Sequence, residues 1–384
     1  MLGRFFFLSL LAILPDIYIF FRYVWKKCQW RTQVIFTVFS LLCIVLLVLM
    51  FGLYSSSESA ATLYKASMVM NALIALYVAK LLYTFVDVWT LLFNSKILRR
   101  VAFGLAALGF ITYAYGVMLG RFNMSAKYIT VENKSLPQHF DGYKILHISD
   151  LHLGSFYGDE ETVSKWVDMM NAENPDMICF TGDIVSILAD EMASHVSALK
   201  RLKAKDGKFA ILGNHDYGDY HKWANEEARN ANFVKTQNYV SQAGFELLLN
   251  ENRTVYRNGD SISVVGVENW GQPPFPQCCD LKKAETGVAS STRILLSHDP
   301  DFWEYQLEGN NDYFLTLSGH THAMQFGIEI GDWEISPSSL KYPYWHGLYE
   351  KNGRQIVVSR GVGCAGMPVR VGMTPEYVVI TLKK

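Results

Sequence analysis

The sequence predicts a chain in two parts, an N-terminal all-α bundle of four transmembrane helices and a C-terminal α/β domain. Within residues 1–120, long apolar runs hold few charges, whereas from residue 142 onwards short apolar runs alternate with amphipathic ones. Strand patterns outnumber helix patterns towards the C-terminus. A sheet-on-sheet core with helices outside therefore fits the C-terminal domain better than a single doubly wound sheet.

Four apolar runs are predicted to span a membrane, at about residues 5–21, 34–53, 66–93 and 101–120. The run at 34–53 is the clearest, because it holds no charge and is long enough to cross a hydrocarbon core of about 30 Å. The run at 5–21 lacks a clear small-residue cleavage site, which favours an anchor over a removed signal peptide.

Two charged residues, Lys80 and Asp87, interrupt the third run and are expensive in lipid. They are the candidates for an ion or substrate path within the membrane. The preferred interpretation is structural: a polar seam that faces the other helices, with Asp87 snorkelling towards the interface.

Charges in the connecting loops predict the orientation of the bundle. Basic residues cluster between the first and second runs and between the third and fourth, whereas only Lys65 lies between the second and third. By the positive-inside rule, the first and third loops are cytoplasmic and both termini lie outside. The chain is therefore predicted to be a multi-pass protein of the plasma (inner) membrane with an extracytoplasmic C-terminal domain.

Charge is divided unevenly along the chain. Residues 1–120 hold ten Lys or Arg against three acids, which leaves 25 basic and 33 acidic residues in the remainder. A negatively charged domain repels phosphate backbones, so a nucleic-acid partner is disfavoured. The six cysteines show neither metal-finger spacing nor the density of a disulfide scaffold.

The polar segment 121–141 is predicted to link the bundle to a domain at 142–384. Helices are predicted at 160–172, 187–203 and 221–243, from their amphipathic patterns. Strands are predicted at 143–149, 177–181, 208–212, 261–267, 293–297, 313–318, 355–359 and 376–382.

Five short blocks of metal-type ligands each begin where a predicted strand stops. They are Asp150-x-His152, Gly182-Asp183, Gly213-Asn214-His215-Asp216, His298 and Gly319-His320-x-His322. Because ligands bind beyond the carboxyl ends of strands in open α/β sheets, five such ends can bring distant residues to one rim. Asp150 and His152 would point to one side in extended chain. The glycines allow tight turns and close approach to an ion.

The donor types in these blocks indicate a two-metal hydrolytic centre. Carboxylate, imidazole and amide oxygen together suit Mn, Fe or Zn better than Ca. Two such ions about 3.5 to 4 Å apart would polarise a phosphoryl group and hold a hydroxide for in-line attack. Taken alone, Asp183 would be a helix cap, His298 a core histidine and Asn214 a turn residue. Only the ordered set favours metal.

The set of blocks resembles the calcineurin-like metallophosphoesterase superfamily over roughly residues 141–384. The similarity is closest to its membrane-anchored bacterial branch, which includes phosphodiesterases and UDP-diacylglucosamine pyrophosphatases. The resemblance implies a four-layer αββα sandwich and a binuclear centre in which Asp183 bridges the metals and His215 is catalytic, as proton donor or charge stabiliser. It further implies one metal held by Asp150, His152 and His322 and a second held by Asn214, His298 and His320.

One position departs from the family pattern. Many relatives carry a second aspartate that pairs with the histidine of the Asn-His block, and here that position is Ser186. We therefore expect His215 either to act with a weaker partner or to use Asp216 or Asp190 instead. Gln325 is an even choice between substrate contact and a structural role. The aromatic loop at 270–276, like Trp345 and His346, either lines the substrate pocket, touches lipid or is a surface loop packed by its own aromatic residues.

The predicted function is a membrane-anchored, metal-dependent phosphoesterase that cleaves a phosphodiester or pyrophosphate bond through a hydroxide bridging two metals. Its expected partner is a phosphorylated small-molecule or lipid substrate, plausibly lipid-linked or in the envelope. One alternative is a UDP-diacylglucosamine pyrophosphatase of lipid A synthesis, whose nucleotide substrate is cytoplasmic. The other is a membrane sensor or transporter that binds a phosphorylated ligand without hydrolysis.

Overall fold

The chain divides into two compact units in the computed structural model, which describes residues 12–273, 275, 277–307, 309–310, 312–331 and 333–384. The first unit holds the described residues up to Ser57 together with Thr62–Leu119. The second unit holds Glu58–Ala61 and Gly120–Lys384.

The first unit is helical. Helical backbone covers residues 12–24 and is followed by helices at Trp30–Ser56, Ala60–Asp87, Thr90–Phe93 and Lys96–Met118. Among the described residues, three helical stretches are long and apolar enough to cross a membrane: Trp30–Ser56, Ala60–Phe93 and Lys96–Phe122. A bundle of four transmembrane helices is therefore not confirmed, because residues 5–11 of the predicted span at 5–21 lie outside the described residues.

Both charged residues of the third predicted span have polar partners within this unit. Lys80 Nζ lies 2.6 Å from Asp16 Oδ1. Asp87 Oδ2 accepts hydrogen bonds from the hydroxyls of Tyr18, at 2.8 Å, and Tyr23, at 2.7 Å. Asp87 is fully buried, and these two phenol donors satisfy its carboxylate inside the unit. These contacts support the interpretation that Lys80 and Asp87 form a polar seam that faces the other helices.

The second unit is built on two mixed six-stranded sheets within its described residues. In spatial order, the first sheet contains Ser125–Glu132 (β1), Glu376–Lys383 (β14), Lys144–Ile148 (β2), Met177–Phe180 (β3), Lys208–Ala210 (β4) and Glu246–Leu247 (β5). The second contains Gly347–Lys351 (β12), Arg354–Val358 (β13), Tyr313–Ser318 (β9), Arg293–Leu296 (β8), Asp260–Gly266 (β7) and Glu251–Arg257 (β6). Ile328–Ile330 (β10) and Trp333–Ile335 (β11) form a separate hairpin.

The strands that lead into the ligand blocks all belong to the parallel run of strands in each sheet. Strands β2, β3, β4 and β5 are parallel in the first sheet, as are β7, β8, β9 and β13 in the second. Antiparallel pairs β14–β2, β6–β7 and β12–β13 make both sheets mixed. The predicted C-terminal α/β fold is confirmed.

Apolar side chains pack the two sheets face to face and cover their outer faces. Ile145 of β2 and Ile380 of β14 share a buried cluster with Ile294 of β8 and Leu317 of β9, so the main core lies between the sheets. The helix Glu160–Ala172 buries Trp166 and neighbouring residues against the outer face of the first sheet. Leu281–Ala284 and Asp301–Tyr305 cover the second.

Two predicted segments differ from the structure. The presumed linker 121–141 contains β1, which pairs in parallel with β14 along its whole length. The predicted helix 187–203 is instead a 3-10 turn at Ala189–Glu191 and a short helix at Val196–Lys200. A helix cannot start earlier because the buried Glu191 carboxylate accepts from the backbone amides of residues 186–188, which fixes a turn there.

Candidate metal centre

All five ligand blocks lie at carboxyl ends of parallel strands and meet at one place. Asp150, Asp183 and Asn214 follow β2, β3 and β4 of the first sheet, whereas His298 and His320 follow β8 and β9 of the second. The side chains gather into two groups that share the Asp183 carboxylate, and within each group the potential ligand atoms lie within 4.8 Å of one another.

The first group contains Asp150, His152, Asp183 and His322. His322 Nε2 lies 3.2 Å from Asp150 Oδ1, and His152 Nε2 lies 3.4 Å from Asp183 Oδ2. The Nε2 atoms of His152 and His322 are 3.0 Å apart. Two imidazole nitrogens at this distance need a proton or a cation between their lone pairs, so the group fits a bound metal ion.

The second group contains Asp183, His298 and His320, together with the amide oxygen of Asn214. His298 Nε2 lies 3.2 Å from both Asp183 Oδ2 and Asn214 Oδ1. His320 turns its Nδ1 to the same amide oxygen, at 2.8 Å. Buried carboxylates, imidazoles and an amide oxygen, with Asp183 common to both groups, fit two divalent metal ions.

Backbone hydrogen bonds and aromatic hydroxyls orient the histidines of the second group. His298 Nδ1 lies 2.7 Å from the carbonyl oxygen of Thr181, an acceptor that requires a proton on Nδ1 and turns Nε2 towards the centre. His320 Nε2 lies 3.1 Å from the Tyr342 hydroxyl and 3.6 Å from Asp299 Oδ2. Each ring thus presents one defined nitrogen to the centre.

The backbone at the centre is held in the left-handed region. Asp150, His152, Asp183 and His320 all have positive φ, between 40° and 70°. Asp150 and His152 therefore converge through left-handed turns, and the predicted extended chain is wrong there. A separate run, His322–Gln325, has positive φ at every residue.

Close packing explains two of the glycines in the blocks. A Cβ on Gly213 would lie 2.2 Å from Asp183 Oδ1, and one on Gly319 would lie 1.9 Å from Ser149 Oγ. Any larger residue would displace the Asp183 carboxylate in the first case and the loop after β2 in the second. The prediction that these glycines permit close approach is consistent with this packing.

Opposing electrostatic effects set the protonation of the buried groups. Burial raises the pKa of Asp183, but the neighbouring His298 and His215 outweigh it and hold that pKa well below its usual value. Burial also lowers the pKa of His152 to about 4 and that of His320 to about 3, so both rings are neutral near pH 7. His298 is the exception, since Asp183 overcomes burial and raises its pKa to about 10.

His215 lies beside the groups without a carboxylate on its ring. Its Nδ1 lies 2.7 Å from the carbonyl oxygen of Ser186, so Nδ1 carries the proton and Nε2 is left to face the cavity. The two carboxylates expected to substitute are engaged elsewhere. Asp216 accepts backbone amides of Asp183 and nearby residues, and Asp190 pairs with Lys235 at 2.7 Å.

An open cavity of about 320 Å³ lies over the two groups. Its lining combines Asp183, Asn214, His215, His320 and His322 with the aromatic rings of Phe275 and Tyr342. Phe275 packs edge-on against His320 with ring centroids 4.9 Å apart, so the predicted aromatic loop does reach the pocket. The cavity thus combines potential ligand side chains with two aromatic rings.

The structure places several residues whose roles the sequence leaves open. The Gln325 side chain bonds to backbone groups of Ala365, Met367 and Val369, which supports its structural alternative. His346 is buried between Glu334 and Glu376, away from the ligand groups. The sequence does not predict a role at the centre for Tyr220, Tyr342 or Asp299, because single residues without a spacing pattern carry no local signal.

Comparisons with known proteins agree with the ligand blocks. A family model described as calcineurin-like phosphoesterase matches residues 143–324. An uncharacterized metallophosphoesterase of Bacillus subtilis, YkuE, is 30% identical over 293 residues, which cover 73% of this chain and 94% of that protein. A transmembrane protein with metallophosphoesterase domain from Danio rerio is 28% identical, covering 67% of this chain and 56% of that protein.

Among solved structures, a dimetal phosphatase from Danio rerio aligns with a TM-score of 0.33 at 10% identity, covering 58% of this chain and 88% of that chain. Among the relatives found by sequence, a further uncharacterized metallophosphoesterase, from Helicobacter pylori, is 30% identical over 295 residues. That alignment covers 74% of this chain and 70% of that protein. The finer resemblance to UDP-diacylglucosamine pyrophosphatases stays a prediction.

Proposed function

Because the chain belongs to the calcineurin-like phosphoesterase family, and so is a metal-dependent phosphoesterase, we propose that it cleaves a phosphodiester or pyrophosphate bond in a lipid-linked or envelope substrate. The observation that carries the proposal is the Asp183 carboxylate, which two buried donor groups share. A carboxylate shared by two sets of imidazole ligands favours two cations held close together over one. The apolar helices of the first unit support the choice of a membrane-associated substrate.

We assign the donor groups to two divalent ions, Mn, Fe or Zn. Asp150, His152 and His322 would hold one ion, and Asn214, His298 and His320 would hold the other, with Asp183 common to both. When bound, the two ions supply positive charge that polarises a phosphoryl group and activates water for in-line attack at phosphorus. We assign stabilisation of the leaving oxygen and contact with the rest of the substrate to side chains of this chain.

His215 is the residue we assign to the leaving oxygen. Its ring is stacked on Tyr220 with centroids 4.3 Å apart and lies edge-on to His152 at 4.8 Å, so its orientation is fixed from two sides. Because Nδ1 is engaged by the Ser186 carbonyl, only Nε2 can donate a proton or hydrogen bond to the departing oxygen. Phe275 and Tyr342 would contact the non-reacting part of the substrate.

The proposal is tested by replacing the shared carboxylate. In the purified full chain loaded with Mn or Zn, Asp183→Asn should lower kcat/KM for an aryl phosphodiester by at least about 100-fold, which exceeds the loss when only an outer partner of a ligand is removed. Metal content, measured on the same sample, should fall as well. Full activity in this variant would rule out the mechanism.

Asp190→Asn is the matched control, because it makes the same chemical change at an exposed carboxylate paired with Lys235. It should leave both activity and metal content unchanged. A parallel screen of phosphomonoester, phosphodiester and pyrophosphate substrates would then rank the bond types. Exclusive cleavage of monoesters would contradict the proposed substrate class, whereas metal and ligand binding without turnover would favour the sensor alternative.

A further inference from the structure

The hairpin formed by β10 and β11 separates its side chains by chemical character onto two faces. Ile328 pairs with Ile335, and Ile330 pairs with Trp333. Because side chains alternate across a strand, these four residues share one face. They are 54%, 46%, 69% and 56% exposed, in the order named. The described residues of this face are therefore all large, apolar and open to the surroundings.

The opposite face of the hairpin is acidic and bound to the domain. Glu329 and Glu334 pair with each other across the two strands, so they share the second face. Arg360 Nη1 lies 2.8 Å from Glu329 Oε2, and His346 Nδ1 lies 2.5 Å from Glu334 Oε2. These ion pairs hold the charged face inwards. As a result, the apolar face is turned away from the domain by fixed contacts.

Two lysines and a further apolar residue lie near the hairpin. Lys127 Nζ lies 3.6 Å from Glu334 Oε1, on the charged face, and is 42% exposed in its side chain. After the hairpin, Leu340 is 90% exposed and is followed directly by Lys341. Exposed aliphatic side chains with a tryptophan and neighbouring lysines are the combination that binds the interface of an anionic bilayer.

We propose that the apolar face of the hairpin Ile328–Ile335 docks into the surface of a lipid bilayer that contains anionic headgroups. Contiguous exposed apolar residues mark interaction sites, and the same chain carries helices that can cross a membrane. Only residues 119–124 separate the helix Lys96–Met118 from β1, so the chain itself keeps the domain close to a bilayer. Trp333 adds the side chain that favours the headgroup level.

The docking surface leads directly into the candidate centre along the chain. His322 ends its ligand block, Met324 lines the cavity, and the hairpin begins at Ile328. Because only residues 325–327 separate Met324 from the hairpin, docking would bring this part of the cavity wall near the bilayer surface. The proposal does not depend on which phosphate ester is cleaved, because it concerns binding of the hairpin and not turnover.

A spin label on the hairpin tests the proposal in the full chain. In a background of Cys28→Ser, Cys278→Ser and Cys279→Ser, the label is attached at Ile330→Cys or, as the matched control, at Val234→Cys. Val234 is an aliphatic residue, 53% exposed, on the helix Glu226–Gln242. Power saturation in nanodiscs of phosphatidylcholine and phosphatidylglycerol compares access of oxygen, which partitions into lipid, with access of a water-soluble nickel chelate.

We expect oxygen access to exceed nickel access at residue 330 and the reverse at residue 234. Equal profiles at the two positions would overturn the proposal. Low access of both reagents at residue 330 would overturn it too, since that result means contact with a second copy or another protein. Nanodiscs of phosphatidylcholine alone should reduce the lipid signal, and an unchanged signal would overturn the role of anionic headgroups.

A disruptive variant separates docking from folding and catalysis. With the label at Ile328→Cys, the pair of changes Ile330→Glu and Trp333→Glu should shift access from oxygen to the nickel chelate. Hydrolysis of a soluble aryl phosphodiester should stay within twofold, because neither residue lines the cavity. Retained lipid access in this variant would contradict the proposal even if the hydrolytic function were correct, so the two hypotheses fail independently.

Discussion

At the scale of single residues, Ser186 stands where many relatives carry an aspartate. His215 therefore has a different partner, but it is not unpaired. The carbonyl oxygen of Ser186 takes the place of a charged acceptor at 2.7 Å. A neutral acceptor fixes the same tautomer as a carboxylate, but it stabilises the protonated ring less. His215 is therefore oriented for donation by an uncharged partner.

Ser186→Asp should restore that charge and move the alkaline limb of the pH–rate profile by about 1 unit. The sign follows from the added negative charge, which favours the protonated ring and therefore extends activity to higher pH. The measurement is kcat/KM for an aryl phosphodiester across the pH range at fixed metal concentration. Ser186→Asn is the neutral control. Identical profiles for both variants would remove the proposed role of His215.

At the scale of elements, the strand β14 and the hairpin β10–β11 are joined by a buried charge network around His346. Glu376 and Glu334 outweigh the effect of burial and raise the pKa of His346 to about 9. Burial raises the pKa of Glu376, but His346 and Arg360 outweigh it and lower that pKa to about 2. The folded domain therefore binds a proton on the histidine and releases one from the carboxyl group.

The stability of the domain should consequently depend on pH in a defined direction. The His346 contribution is complete below its unfolded pKa of about 6.5 and is lost as pH rises through about 9, whereas the Glu376 contribution is lost only as pH falls from about 4.5 through 2. His346→Gln should remove the upper dependence, on the order of 3 kcal/mol. Thermal denaturation at pH 6 and pH 9 checks this, and parallel curves for both proteins would contradict it.

Another element-scale contact joins residues 12–24 to the helix Ala60–Asp87 through Asp16 and Lys80. Asp16→Asn leaves an ammonium group in an apolar unit and should destabilise it by about 3 kcal/mol, as removing one partner of a buried pair does. The denaturation midpoint in detergent measures the effect. Exchanging the pair, Asp16→Lys with Lys80→Asp, should recover part of the loss. Lys65→Met is the control, at an exposed lysine.

At the scale of the whole molecule, local patterns predicted the interior of the fold better than its edges. The strands that lead into the ligand blocks are apolar runs ended by Gly, Asp or His, and they were found within a few residues. Strand β1 was missed because it is an edge strand with only Val131 fully buried and its partner, β14, lies at the far end of the chain. Long-range pairing of this kind leaves no local periodicity.

Local patterns also predicted only some of the residues of the candidate centre. Asp150, Asp183 and the histidines of the blocks were predictable because type, spacing and strand ends coincide. Tyr342 and Asp299 lie outside the residues assigned as ligands, and their contacts with His320 become visible only when the chain is folded. The partner of His215 was also unpredictable, because it is a backbone carbonyl and not a side chain.

The orientation of the whole molecule in the membrane stays a prediction that a reporter can test. Loop charges predict an extracytoplasmic C-terminal domain. Alkaline phosphatase fused after Lys384 should therefore be active, and green fluorescent protein at the same position should stay dark. The reverse pair of results would place the domain in the cytoplasm. It would also make a cytoplasmic nucleotide substrate accessible, as the UDP-diacylglucosamine alternative requires.

The left-handed run His322–Gln325 limits which sequences can keep this centre. Its two middle residues, Ala323 and Met324, have φ of 48° and 47°, a region that costs ordinary L-residues about 1 kcal/mol or more each. Glycine and asparagine accept that region most readily, whereas valine, isoleucine and threonine do not. Variation at these two positions should therefore be confined to permissive residues in any library selected for activity, although neither side chain donates a ligand.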